Sequence, residues 1–217
     1  MLFVPMADLP SWADGEEPIN GITHIPGIII ASLSLGLFRG QAKMRKDKTR
    51  QMANYVFAGS ILFMYVVSVV YHVWPMESTT IKKALRYCDH VSIYGVIAGS
   101  YTPFALLGLR GKFGWTVFSL IWAIALFGTV FKIMRFDDFE KYSLYYFVAM
   151  GWVSVFMIRK LIKNVSWKCL LWLGIGGLFY TTGTMFYVKL WEYAHVIWHF
   201  FVMGGTFSHL YAVYNCL

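Results

Sequence analysis

Charge is the scarcest commodity in this 217-residue chain: Asp, Glu, Lys and Arg make up 14% of it, against 58% hydrophobic and 19% aromatic residues. A soluble domain of this length carries about a quarter charged residues, so that class is excluded in favour of an integral membrane protein. Cysteine is equally sparse. Cys88, Cys169 and Cys216 fall in or at the ends of separate apolar segments, with no CxxC spacing and an odd total. That pattern supports neither a disulfide framework nor a thiolate zinc knuckle. A cleavable signal peptide is not expected either, because Met1 to Pro18 holds no Lys or Arg, contains Asp8, Asp14, Glu16 and Glu17, and lacks a long apolar run.

What the chain does have is long apolar stretches. About twenty apolar residues cross a bilayer as a helix, and seven segments approach that length: 24–38, 52–74, 91–109, 113–131, 142–158, 169–188 and 193–217. The expected fold is all-α, a polytopic seven-transmembrane-helix bundle. Short connections leave no room for a second domain, so residues 1–217 form one membrane domain with a short N-terminal segment over 1–20. The first span is short, with Pro26 and Gly27 expected in its first turn, where proline is tolerated.

The net charge of +8 comes from basic residues set between apolar segments, a topology signal and not a nucleic-acid footprint. An alternating bundle divides the 19 Lys and Arg into seven on the N-terminal face and twelve on the other, six of them within 39–50. By the positive-inside rule the N-terminal face is extracytoplasmic. The expected location is a cell membrane, the bacterial inner membrane, crossed several times.

His195 and His199 in HVIWH are one helical turn apart at the entrance to the last span. Residues i and i+4 differ by about 40° around a helix and about 6 Å along it, so two imidazoles there can reach one ion. Ionisable groups in an apolar segment are functional by default; on spacing alone, the alternative is that each donates an interhelical hydrogen bond. The spacing resembles that of HExxH metalloproteases, but position 196 is Val, so any base must come from another helix. The same face receives His72 at the end of the second span and Asp89 at the start of the third. His72 can be a third nitrogen ligand, which with an open fourth position is the arrangement of catalytic zinc. Ser68, one turn before His72, can orient that ligand or the water; its alternative is a bond to its own i−4 carbonyl. Asp89 can accept the proton of the attacking water, or else complement the dipole of a helix it opens. His209, ten residues beyond His199, is about 15 Å further along the axis and cannot share the ion. His24 and His90 are ambiguous.

The strings EEPINGITH at 16–24, SVVYH at 68–72, YCDHVSIYGVIAGSYTPF at 87–104 and HVIWHFFVMGGTFSHLYAV at 195–213 together resemble the hemolysin III family, the bacterial branch of the progestin and adiponectin receptor (PAQR) superfamily. The resemblance implies a seven-helix bundle holding Zn2+ through three histidines, which map onto His72, His195 and His199, with Ser68 and Asp89 on the associated serine and aspartate. It also implies three functions to be separated. One is zinc-dependent hydrolysis of a lipid amide or ester, as in ceramidase-like members, with a membrane lipid as partner and a cavity reaching the metal. Another is a receptor or membrane-homeostasis protein with structural zinc in a closed shell. The last is a pore-forming cytolysin, for which no helix shows the polar stripe that lines a channel. Orientation divides the two sources: adiponectin receptors place the N-terminus and zinc site in the cytoplasm, whereas the charge count places that face outside.

Overall fold

A computed structural model describes residues 13–75 and 79–217. Much of the expected N-terminal segment, residues 1–12, lies outside the described residues. Among the described residues eight α-helices follow one another: α1 (Ala13–Arg45), α2 (Lys48–Val73), α3 (Thr79–Pro103), α4 (Gly111–Met134), α5 (Phe136–Trp152), α6 (Ser154–Asn164), α7 (Trp167–Tyr187) and α8 (Ala194–Cys216). A π-helical stretch, Phe104–Leu109, continues α3. Because α5 and α6 run on as a single span, the described residues form seven helices long and apolar enough to cross a membrane. The chain is a seven-helix membrane bundle.

Packing follows chain order around the bundle, and α8 closes it against α1 and α2. The third span is 72% buried and forms the centre, while the sixth is 17% buried and faces outward. Leu33, Leu126 and Phe156 stand among many large apolar side chains exposed on the outer surface, as expected where the solvent is lipid. Every span is helical for a physical reason: in hydrocarbon the backbone must satisfy its own polar groups.

Three boundaries differ from those read from hydropathy, each where polar residues are partnered inside the bundle. At 33 residues, α1 is about 50 Å long and not short. It begins well before position 24, and Pro26 therefore lies in its interior. Helix α3 starts at Thr79, so Asp89 sits ten residues into it and does not open it; a macrodipole role no longer accounts for this carboxylate. The fifth span is interrupted at Val153, between α5 and α6, and extends to Asn164.

Candidate metal centre

The last turn of α2 and the first turns of α8 bring His72, His195 and His199 together, with one ligand nitrogen from each lying within 4.8 Å of the others. Ring centroids are 5.2 Å apart for His72 and His195, 5.1 Å for His72 and His199, and 4.6 Å for His195 and His199. Tetrahedral zinc with Zn–N bonds of about 2.0–2.1 Å places its ligands about 3.3 Å apart. No pair therefore has to close by more than about 1.5 Å, a movement within reach of imidazole rotation.

Hydrogen bonds fix which nitrogen is free to ligate. His199 Nδ1 is 3.0 Å from the Asn20 carbonyl, which can only accept, so Nδ1 carries the proton and Nε2 the lone pair. Thr23 Oγ1 lies 3.0 Å from the same nitrogen. His72 Nδ1 is 3.2 Å from Glu17 Oε2, an acceptor, and its Nε2 is buried with no hydrogen-bond partner among the described residues. A buried imidazole nitrogen with a bare lone pair, opposite a carboxylate on Nδ1, is the donor set zinc takes. With His195 beside these two, the three histidines form a cluster that can hold a metal ion.

Support for the ligands comes from α1, through an acidic pair that the sequence places on this face without a role. Adjacent residues on a helix point about 100° apart, so Glu16 and Glu17 reach different neighbours. Glu16 Oε1 accepts the backbone N–H of Tyr193, the left-handed residue (φ 63°) that precedes α8. Glu17 holds His72 on α2 and accepts from Lys82 Nζ at 2.8 Å. Lys82 is fully buried and also donates to the carbonyls of Tyr71 at 2.7 Å and Trp74 at 3.0 Å. A cation over the last carbonyls of α2 satisfies orphan acceptors and complements the helix dipole, which pins the turn carrying His72. The backbones of α1 and α2 meet closely here: a Cβ on Gly21 would approach Val73 Cγ1 to 2.6 Å.

The remaining predicted residues fall around this centre. Ser68 Oγ is 2.9 Å from His24 Nδ1, so its hydroxyl engages that ring and not His72. His24 in turn stacks on His199, with centroids 3.6 Å apart and planes at 20°. Asp89 and His90 line the same cavity as the three histidines. His209 lines its far end and bonds the Leu173 carbonyl at 3.2 Å through Nε2.

That cavity, of about 670 Å³, runs from Glu16 and the histidines through the bundle to His209. Its wall is mostly apolar, contributed by α3, α5, α6, α7 and α8. Trp152, Val155 and Leu178 line it and are also 55%, 50% and 63% exposed, so it opens sideways between α5–α6 and α7, where packing is sparse.

Fold and site together define a polytopic membrane protein with a buried three-histidine cluster that can bind a metal. Residues 13–210 match the Haemolysin-III related family. The chain is 34% identical to Hemolysin-3 of Bacillus cereus over 201 residues, covering 91% of this chain and 90% of that protein. It is also 34% identical to the Hemolysin-3 homolog of Bacillus subtilis (strain 168) over 199 residues, covering 91% and 92%. Against the human Monocyte to macrophage differentiation factor it is 25% identical over 207 residues, covering 93% and 84%. The chain belongs to the Haemolysin-III related family.

Proposed function

We propose that this protein is a zinc-dependent hydrolase of lipid amides or esters, working within the bilayer of a bacterial cell membrane. The observation that carries this reading is the apolar cavity joining the histidine cluster to a lateral opening. Its volume lies within the range of small-molecule sites, about 300–1,000 Å³. A receptor with structural zinc calls for a closed shell, and an apolar chamber leading to the ligands has no place in it.

In the proposed reaction a lipid enters between α5–α6 and α7, its chain lies along the apolar wall, and its carbonyl reaches the histidine end. His72, His195 and His199 would hold the zinc, which when bound would supply a Lewis acid for this carbonyl. Asp89 accepts the proton of the attacking water and returns it to the leaving group. Ser68 holds His24 against His199, while Glu17 and the Asn20 carbonyl fix the ring orientation of His72 and His199. Apolar walls exclude bulk water and strengthen these interactions.

The bacterial relatives' names raise membrane lysis as a second reading. Cavity walls of this mostly apolar character suit an acyl chain better than a conducting pore. Purified zinc-loaded protein assayed on a panel of ceramide-like amides and esters tests the proposal. Wild type should turn over at least one lipid, and Asp89→Ala should retain zinc and lose turnover. Zinc-loaded wild type inert on every amide and ester would contradict the reading.

A further inference from the structure

A second polar pocket, of about 380 Å³, lies at the opposite end of the bundle. It is lined by Asp47, Thr49, Arg50, Arg110, Gly111 and Trp115, among others, where α2 and α4 begin. Arg50 is 5% exposed, and its Nε and Nη1 have no hydrogen-bond partner among the described residues. A guanidinium so placed holds directional donors out of water at a cost that calls for an acceptor. Asp47 does not meet it: Oδ1 caps the Arg50 backbone N–H at 3.0 Å, and Oδ2 is 3.8 Å from Nε, beyond hydrogen-bonding distance.

Other features of the pocket point the same way. Arg110, exposed, brings a second guanidinium, tethered through its Nε to the Leu107 carbonyl at 2.8 Å. The N-terminus of α4 has no side-chain cap, so its first N–H groups and dipole also favour an anion. Asn54, one turn beyond Arg50 on α2, is fully buried with both amide atoms unpartnered among the described residues, which extends the polar character inward. The pocket sits at helix ends on the more basic face, beside half-exposed Trp115, a residue type that marks the headgroup level.

We infer that this pocket binds a phosphoryl oxyanion, with Arg50 and Arg110 as its cationic clamp. Arginine forks match phosphate oxygens in pairs, and a helix N-terminus beside them adds backbone donors. The group comes from the headgroup of an anionic phospholipid or from free phosphate, which share this chemistry. The inference is independent of the zinc site and of any hydrolysis.

Full-length protein in detergent, titrated separately with inorganic phosphate and with phosphatidylglycerol and read by native mass spectrometry and calorimetry, tests it. Arg50→Gln and Arg110→Gln should each weaken binding roughly tenfold or more, the value of one charge-assisted hydrogen bond. Lys43→Gln, an exposed basic position on the same face outside the pocket, should leave it unchanged. Retention of the lipid uncompeted by millimolar phosphate supports the headgroup source, and stoichiometric binding of phosphate alone supports the free ion. Arg110 is exposed, so its variant decides the matter if Arg50→Gln fails to fold. Binding of both probes unaltered in the variants, or no stoichiometric binding of either by wild type, overturns the site.

Discussion

Glu17 Oε2 stands 3.2 Å from His72 Nδ1, and the same oxygen takes the Lys82 ammonium at 2.8 Å. One carboxylate on α1 thus ties together a candidate metal ligand on α2 and a buried cation on α3. The metal centre depends on the N-terminal turns of α1 although α1 supplies none of its three histidines.

Glu17→Gln keeps the shape of this contact and removes its charge. Carboxylates behind a ligating imidazole contribute about 10–100-fold to metal affinity. Zinc competition titration should show a loss in that range, and because the same substitution leaves buried Lys82 without its counter-ion, the variant should also melt below wild type.

Lys82→Met leaves Glu17 buried beside His72 and strips the carbonyls of Tyr71 and Trp74 of their donor. Breaking one side of a buried ion pair costs about 3–5 kcal/mol. The variant should melt well below wild type in the same detergent, and Lys82→Met with Glu17→Gln together should recover part of the loss.

Two adjacent positions on α7 separate close packing from helix propensity. A Cβ on Gly176 would overlap the His209 ring and come within 3.1 Å of the Gly205 carbonyl, whereas a Cβ on Gly177 meets nothing within 4 Å. Gly176→Ala should destabilise by about 1–3 kcal/mol through overpacking of α7 on α8. Gly177→Ala should be neutral or stabilising by up to about 1 kcal/mol. Melting temperatures of the two variants, ordered Gly177→Ala above Gly176→Ala, check this.

Orientation follows from the distribution of basic residues. A cysteine introduced at exposed Lys189 in an otherwise cysteine-free protein should react with a membrane-impermeant maleimide in intact cells, and one at exposed Arg45 only after lysis. Reversed labelling would place the histidine face in the cytoplasm.

The sequence made some of this centre readable and concealed the rest. His195 and His199 were legible because helical spacing is local, and His72 because alternation of apolar spans decides which face each end reaches. The roles of Glu17 and Lys82 were not, since each acts on a different helix in a direction that spacing does not give: the first across α1 to α2, the second across α3 to the end of α2. Hydropathy also starts the first span at position 24 and leaves Glu16 and Glu17 outside it, although both are helical and bonded inside the bundle. Ser68 illustrates the same limit. Its position one turn before His72 suggested a shared task, yet the structure turns its hydroxyl to His24, on a helix that spacing alone does not bring near. The cavity was invisible for another reason, since acyl-chain walls and helix interfaces use the same Leu, Val and Phe side chains.

Metal content is the most direct test of the central claim that His72, His195 and His199 form a zinc site. Protein purified from zinc-supplemented cells and analysed by inductively coupled plasma mass spectrometry should carry about one zinc per chain. His72→Ala and His199→Ala should each lose it, while His209→Ala should retain it. Folded wild type with no stoichiometric zinc, or His199→Ala with wild-type content, would contradict the account.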